Sequence, residues 1–216
     1  MASSGKIYHS CISQGSHAIH YNLQSFPQHA FSVRLSLISE VSIQLQIEPG
    51  GEAMIHQLCA EGPIEPRVPT AMLVTGAARC VRAAVLASCR TAYPRSVETA
   101  WLANKTAQNI AAWLTVPQHD AFFFLRGEIV EGVALVARQR HFELICVHPE
   151  VQRLGVATRL FAAIRSRLQP TQLEAHAPLP SVNWYLKHGF TIRAAPLVEG
   201  GVLWDIPLVW RAGFDR

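Results

Sequence analysis

The 216-residue sequence predicts a mixed α/β (α+β) domain, in which helices flank a mostly antiparallel sheet. Residues 121–147 contain three short apolar strands separated by turns at 126–128 and 138–140, the pattern of an antiparallel meander. Residues 143–168 then form a buried strand, a glycine-containing turn and an amphipathic helix in immediate succession. Half of the residues are hydrophobic and 16% are charged, which indicates a globular core.

The first 53 residues differ from the rest, because they are rich in Ser, Gln and His and poor in charge. Alternating apolar and polar residues over 31–37 and 41–47 predict one or two strands, and a break follows at Pro49-Gly50-Gly51. We therefore expect an N-terminal extension over 1–53 and a folded domain over 54–216.

The role of the extension has three interpretations. Its strands could join the sheet, or they could form a homodimer interface. It could also be an untranslated leader, since Gly51-Glu52 can be encoded by a purine-rich string of the kind that forms a bacterial ribosome-binding site just ahead of Met54.

Two helices are predicted before the meander. After a strand over 55–60 and a proline-rich loop, Leu73, Ala77, Val81, Val85 and Cys89 keep a spacing of four residues. That spacing predicts a helix from about 70–76 to 91. A second helix is expected over 97–114, with Ser96 as its N-cap.

The remaining elements follow the amphipathic helix of residues 156–168. Residues 173–177 alternate as a strand, residues 181–188 form a last helix, and residues 190–195 with 202–210 predict a closing hairpin.

The turn before the amphipathic helix has the features of an anion site. Gly155 lets the backbone approach a ligand closely, and the first N–H groups of the helix point at that ligand with the helix dipole behind them. Arg153 and Arg159 flank the turn and could face phosphate groups.

These residues resemble the GNAT (Gcn5-related) N-acetyltransferase family, whose acetyl-CoA loop has the pattern Gln/Arg-x-x-Gly-x-Gly/Ala. Gln152, Gly155 and Ala157 match it, with Val147-x-Pro149 upstream and a Tyr185-to-Phe190 segment downstream as in the last helix of the family. The resemblance implies a GNAT fold with six to seven strands and four helices. It also implies acetyl-CoA as co-substrate and an amine as acceptor.

The resemblance also implies two sets of CoA-binding residues. In the family the fourth and fifth strands splay apart near a bulge, so the fourth strand offers free N–H groups to the pantetheine arm and the thioester oxygen. In this sequence those groups belong to Ile145, Cys146 and Val147. The phosphates would be held by Gln152, Arg153, Leu154, Gly155, Val156, Ala157 and Thr158.

Catalytic roles are also implied. Tyr185 matches the tyrosine that protonates the departing thiolate in many members, although it could simply be a packed aromatic residue. For the base, strand alternation places Glu143 and His141 on the face of Val147; Glu143 acting through water is the first choice and His141 the second. The family often has a carboxylate where His141 stands, and often an asparagine where Pro178 stands, so this chain departs at both positions.

Several classes of site and partner are not expected. The five cysteines form no C-x-x-C pair and the ten histidines show no metal-ligand spacing, so no disulfide framework and no metal are predicted. The net charge is +4 without any Lys/Arg run, which argues against nucleic acid. No uncharged apolar run approaches a membrane span, and the first residues lack the apolar centre of a signal peptide, so a cytoplasmic protein is expected.

The sequence therefore predicts an acetyl-CoA-dependent N-acetyltransferase that acts on a primary amine of a small molecule or a protein. One alternative is a non-catalytic CoA-sensing or interaction module with the same fold. Another is an enzyme that transfers an acyl group other than acetyl.

Overall fold

The computed structural model describes residues 42–47, 53–59, 70–114, 116 and 118–213, and only the backbone of the first two segments. Its strands are β1 (Ser42–Ile47), β2 (Ala53–Cys59), β3 (His119–Arg126), β4 (Ile129–Ala137), β5 (His141–Val147), β6 (Gln172–Ala177), β7 (Thr191–Ile192), β8 (Leu197–Glu199) and β9 (Val202–Arg211). Its α-helices are α1 (Thr70–Cys89), α2 (Arg95–Ala103), α3 (Ala107–Leu114), α4 (Val156–Leu168) and α5 (Val182–Lys187).

One sheet contains all of the described strands, in the order β1-β2-β3-β4-β5-β6-β9-β7, with β8 also paired to β9. Its pairs are antiparallel except β5–β6, which is parallel. The predicted mixed α/β fold is confirmed. The strands outnumber the predicted six to seven because β1 adds to the edge at β2 and because the closing segment contributes the short β7 and β8.

The predicted strand over 41–47 is present as β1, which pairs along its whole length with β2. The predicted strand over 31–37 and the proline-rich loop over 61–69 lie outside the described residues.

The helix predicted over 97–114 is divided in two, which explains why there are five α-helices rather than four. The chain leaves the helical path at Asn104, and α3 starts anew behind Thr106, whose hydroxyl accepts a hydrogen bond from the Asn109 N–H at 3.1 Å. Ser96 is not the predicted cap, because α2 already begins at Arg95 and Pro94 occupies the N-cap position. The break places Lys105 between the two helices.

The sheet separates two hydrophobic cores. On one face, which we call the α4-side core, α4 and α5 cover the sheet; its largest members include Phe122, Phe142, Phe161, Leu173 and Trp210. On the other face, the α1-side core, α1 and α3 pack on Phe123, Leu125, Val133 and Leu135. Burial of these side chains supplies the main stabilising free energy of the domain.

Helix α1 is long and apolar enough to cross a membrane by length and composition alone, over Ala71–Cys89. In the fold, Leu73, Ala77 and Val81 are completely buried in the α1-side core, while Arg79 lies on the exposed side. The helix therefore serves as a core element of this domain.

The central feature of the sheet is an opening between β5 and β6. Strand β5 pairs with β6 only at His141↔Glu174 and Phe142↔Ala175, whereas β6 continues along β9 as far as Ala177↔Ile206. The opening begins at a bulge in β5: Phe142 pairs with Val136 and Leu144 with Leu135, so Glu143 is the extra residue. The splay near a bulge that the resemblance implied is confirmed, and we call it the β5–β6 opening.

Helix α4 approaches the sheet closely beside this opening. A Cβ atom on Gly132 of β4 would lie 2.7 Å from the Val156 Cγ1 atom and 3.1 Å from the Leu160 Cδ1 atom. Glycine at 132 therefore allows the first turn of α4 to pack directly on β4, next to the free edge of β5.

Candidate functional site

The loop between β5 and α4 enters the helix through two residues with left-handed backbone conformation. Gly155 has a φ of +85° and Arg153 a φ of +66°, both in the left-handed region. The first helical hydrogen bond runs from the Arg159 N–H to the Gly155 carbonyl oxygen at 3.0 Å. The N–H groups of Val156, Ala157 and Thr158 precede that bond, so they have no acceptor within the helix, and such groups at a helix N-terminus can donate to an anion.

The side chain of Gln152 holds this loop in place. Its amide Nε2 donates a hydrogen bond to the Val147 carbonyl oxygen at 3.1 Å and lies 3.4 Å from the Ser88 Oγ atom of α1. The amide thus ties the loop to the end of β5 and to α1. Gln152 organises the loop in this structure, whereas the resemblance alone implied a contact with phosphate.

Of the other predicted loop residues, Val156 is buried with its side chain in the α4-side core, so only its backbone faces the loop. Leu154 is 68% exposed, and the side chain of Arg153 is also on the surface. The Arg159 guanidinium lies 5.5 Å from the Phe124 ring centroid, which positions its charge over the rim of the α4-side core.

Thr158 is connected to the last helix. The His188 Nδ1 atom lies 2.8 Å from the Trp184 carbonyl oxygen, which can only accept, so Nδ1 carries the proton. The Nε2 atom of a neutral His188 then accepts a hydrogen bond from the Thr158 hydroxyl at 2.9 Å. The pair fixes the first turn of α4 against α5.

A cleft of about 650 Å³ extends from Thr158 along the surface between α4 and α5. Three of its lining residues are cationic: Arg165, Lys187 and Arg211. None of the described residues that line it is acidic, so the cleft favours an anionic ligand.

The side chains of β5 alternate between the two cores beyond the bulge. Ile145 and Val147 pack against the α4-side core, and Leu144 and Cys146 against the α1-side core. Because β6 has diverged at this point, the backbone of β5 along Glu143 to Val147 presents to the β5–β6 opening an edge that pairs with no strand in the described part of the chain.

Glu143 lies on the α1 side of the sheet. Burial raises the pKa of its carboxyl to about 7, against the opposing effects of Lys105 and His176. Lys105 also opposes the effect of burial on the pKa of the Cys146 thiol, so Glu143 and Cys146 share the surroundings of this cation. The expectation that Glu143 shares the face of Val147 is corrected: the bulge interrupts the alternation on which it was based.

His141 lies beside His176, with 5.7 Å between the ring centroids. Burial lowers the pKa of His141 to about 4, and His176 and Arg193 act in the same direction. The His141 Nε2 atom is buried and has no hydrogen-bond partner among the residues that the structure describes. His141 is therefore neutral near pH 7.

Three residues near the opening were not predicted from the sequence. The His176 Nδ1 atom lies 2.8 Å from the Asp205 Oδ1 atom, and both side chains are nearly buried. Lys105 is 8% exposed, bonds to the Asn104 Oδ1 atom at 2.7 Å and lies 5.2 Å from the Trp113 ring centroid. His176 and Asp205 are 29 residues apart in the sequence, so no local motif marks that pair.

Tyr185 lies on the opposite side of the sheet from Glu143. It is 4% exposed in the α4-side core, with its ring centroid 5.0 Å from that of Phe190 and 6.4 Å from that of Phe142. Since Phe142 is the residue before the bulge, Tyr185 packs behind the start of the β5–β6 opening. A tyrosine and a carboxyl group thus flank the opening from its two faces.

A second aromatic cluster lies on the α1 side of the sheet, where α2 approaches β9. The Tyr93 hydroxyl donates to the Trp204 carbonyl oxygen at 2.9 Å and accepts from the Leu179 N–H at 2.8 Å. The Trp101 ring packs between those of Tyr93 and Trp204, at 4.8 and 6.1 Å between centroids. Tyr93 therefore fastens the loop before α2 to β9 and to the segment after β6.

Among the residues described, no group of three or more His, Cys, Asp or Glu side chains is arranged to hold a metal ion.

Comparison with known families assigns the class of the protein. The model of the family described as the acetyltransferase (GNAT) domain matches residues 84–208, which is more than half of the chain. The chain belongs to the GNAT acetyltransferase family. None of the curated proteins matches this chain.

Solved structures agree with this fold. The chain is similar to a GCN5-related N-acetyltransferase from Rhodopseudomonas palustris, with a TM-score of 0.57, 19% identity, and coverage of 68% of this chain and 93% of that one. It is also similar to the PaiA N-acetyltransferase from Thermoplasma acidophilum in complex with coenzyme A, with a TM-score of 0.56, 10% identity, and coverage of 67% and 96%.

Proposed function

We propose that this protein is an acetyl-CoA-dependent N-acetyltransferase that transfers an acetyl group to a primary amine of a small molecule or a protein. The observation that carries the proposal is the β5–β6 opening, whose unpaired β5 edge leads directly into the anion-binding end of α4. A thioester with a long amide-containing arm and a pyrophosphate needs these two features in this order. The PaiA structure, which has this fold, is a complex with coenzyme A and supports the same ligand.

In this proposal the pyrophosphate lies in front of Gly155, where it accepts hydrogen bonds from the N–H groups of Val156, Ala157 and Thr158. Arg153 in the loop and Arg159 in the first turns of α4 add positive charge that attracts the pyrophosphate. The adenosine end with its own phosphate extends toward the cationic cleft beyond Thr158.

The pantetheine arm then runs along β5, where N–H and C=O groups of Ile145, Cys146 and Val147 replace the missing β6 partner. A β5 N–H near the bulge donates to the thioester oxygen and stabilises the negative charge that develops on it. Both reacting groups are thereby held in one place, which by itself lowers the barrier substantially.

The amine attacks the thioester carbonyl carbon, so an N–C bond forms and the C–S bond breaks. Glu143, acting through water, takes the proton that the amine loses, and Tyr185 gives a proton to the departing thiolate. The positions support this division: Glu143 is on the side of α1–α3 and Tyr185 on the side of α4 and α5. A pKa near 7 suits Glu143 to accept a proton at neutral pH. His141 is the second candidate for this role.

The acceptor approaches from the α1 side, between the Tyr93–Trp101 cluster and Glu143. The sequence contains no motif that names it, so the test uses a panel of amines: polyamines, aminoglycosides, amino acids and N-terminal peptides. Release of free CoA thiol from acetyl-CoA is measured with each, and mass spectrometry identifies the acetylated product.

We expect amine-dependent thiol release with at least one acceptor class, and loss of that release in the Gly155→Glu variant. Faster thiol release with propionyl- or succinyl-CoA than with acetyl-CoA would indicate that the protein transfers that acyl group rather than acetyl. CoA binding without transfer to any amine would favour the non-catalytic module.

A further inference from the structure

Arg165 lies on the same face of α4 as Thr158, further from the start of the helix. The two residues are seven positions apart, which is about two helical turns and about 10 Å along the axis. Both of them line the cleft between α4 and α5. A ligand that binds at the first turn of α4 and continues along this cleft therefore meets Arg165.

Two buried aromatic rings hold the guanidinium of Arg165 in place. Its Cζ atom lies 5.7 Å from the Phe161 ring centroid and 4.9 Å from the Trp210 ring centroid, and each of these aromatic residues is only 3% exposed. Phe161 is one turn nearer to the start of α4, so the guanidinium is directed toward the first turn, as is usual for long side chains on a helix. A guanidinium stacked on aromatic rings keeps N–H groups at its edges, where they can donate to a phosphate.

Two further cations line the cleft. Lys187 is the last residue of α5 and Arg211 is the last residue of β9, and both side chains are exposed. None of the described residues that line the cleft is acidic. The cleft thus offers an anion one cation that is held by packing and two cations on exposed side chains.

We infer that Arg165 recognises the 3′-phosphate of CoA and makes the protein selective for CoA over 3′-dephospho-CoA. The inference rests on the proposed acetyl-CoA-dependent function, because it requires the pyrophosphate at the first turn of α4. The 3′-phosphate of CoA is one ribose away from the pyrophosphate. The two anionic groups therefore follow each other in the same order as the helix N-terminus and the guanidinium of Arg165.

The packing of Arg165 explains why it contributes more than the other two cations. A planar guanidinium can donate two parallel hydrogen bonds to one phosphate group. Because the rings of Phe161 and Trp210 already restrict the side chain, phosphate binding costs it little further conformational entropy. The exposed side chains of Lys187 and Arg211 must be ordered when they bind, so they add attraction but less affinity.

The test compares the affinities of the full-length protein for CoA and for 3′-dephospho-CoA by isothermal titration calorimetry. We expect the wild type to bind CoA about 10–100-fold more tightly, the usual value of hydrogen bonds to a charged group. Arg165→Met removes the charge and keeps an apolar side chain over the two rings, so most of this preference should disappear while the affinity for 3′-dephospho-CoA stays the same. Arg165→Lys keeps the charge without the planar fork and should lie between the two.

The matched control is Arg167→Met, which removes the same charge from the same helix. Arg167 is exposed and is not among the residues that line the cleft, so this variant should keep the preference of the wild type for CoA. The affinity of each variant for 3′-dephospho-CoA also shows whether its site is folded. Arg165→Lys serves as the second variant if Arg165→Met does not fold.

Equal affinities of the wild type for the two ligands would overturn the inference, and so would an equal loss of preference in Arg165→Met and Arg167→Met. A larger loss in Lys187→Met than in Arg165→Met would assign the phosphate to α5 instead. Failure of the proposed function gives a different result, because the wild type would then bind neither ligand. Binding of both ligands without preference removes only the role of Arg165.

Discussion

The amide of Gln152 donates a hydrogen bond to the carbonyl oxygen of Val147 at 3.1 Å, closing the loop that joins β5 to α4. The two residues are five positions apart in the chain, so a single side chain fixes how the end of the open strand meets the start of the helix. The pantetheine and pyrophosphate parts of a CoA molecule would need these two segments in a fixed relative position.

The first prediction follows from that bond. Gln152→Glu keeps the volume but replaces the donor by an acceptor facing a carbonyl oxygen, so we expect CoA affinity to fall by about 10-fold, the value of one hydrogen bond. Isothermal titration calorimetry measures the effect. Gln139→Glu, in the exposed turn between β4 and β5, is the matched control and should bind CoA like the wild type. Equal affinities for both variants would contradict the role given to Gln152.

The second prediction concerns Tyr185. Tyr185→Phe removes a proton donor while keeping the ring that packs on Phe142 and Phe190, so turnover should fall by about 10–1000-fold with little change in CoA affinity. Steady-state kinetics measures the turnover, and calorimetry with CoA measures the affinity. Unchanged turnover would remove Tyr185 from the mechanism, and a large loss of melting temperature would assign its hydroxyl to a buried hydrogen bond.

The third prediction is a trade-off between stability and activity at Glu143. Its pKa is about 7 in the fold, against 4.5 for an unperturbed glutamate, so the folded state binds the proton more tightly than the unfolded state. The stability gained from this proton is complete below pH 4.5 and is lost as the pH rises through about 7.

Glu143→Gln, which is neutral at every pH, should therefore be more stable than the wild type at pH 8 by on the order of 1 kcal/mol, and should lose transfer activity. At about pH 4 the two proteins should have similar stability. Urea unfolding at both pH values gives the free energies, with the exposed Glu128→Gln as control. A variant less stable than the wild type at pH 8 would show that the carboxylate has a stabilising partner.

The fourth prediction is that the N-terminal extension affects aggregation and not CoA binding. A chain that starts at Met54 retains β5, α4 and α5, so we expect it to bind CoA with the affinity of the full chain. Without β1 the edge of β2 is uncovered, and unpaired edges promote association, so the shortened chain should aggregate at lower concentration. Light scattering and calorimetry test the two statements; loss of CoA binding in soluble shortened protein would place the extension in the working domain.

The sequence predicted the parts of the site that depend on consecutive residues. The change from a strand pattern before Val147 to a helical stripe from Val156, with glycine between them, locates the loop and its direction. The bulge at Glu143 could not be predicted in this way, because it is defined by the pairing of β5 with β4. Strict alternation therefore placed Glu143 on the face of Val147.

His176 and Asp205 were missed for a similar reason. They are 29 residues apart, and only the pairing of β6 with β9 brings them together. The helix break at Asn104 did have a local signal, since Thr106 followed by a new apolar stripe is a typical N-cap.

The most direct test of the CoA site is the melting temperature of the protein with and without CoA. A ligand that binds only the folded state raises it, and saturation by 100 times Kd adds about 2.7 kcal/mol. Gly155→Glu and Gly155→Ala both place a side chain at a φ of +85°, but only glutamate adds bulk and negative charge in the open space before the loop. We expect an increase of several degrees for the wild type, a smaller one for Gly155→Ala and none for Gly155→Glu. No increase for the wild type at millimolar CoA would contradict the assignment of the β5–β6 opening and the Gly155 loop as a CoA site.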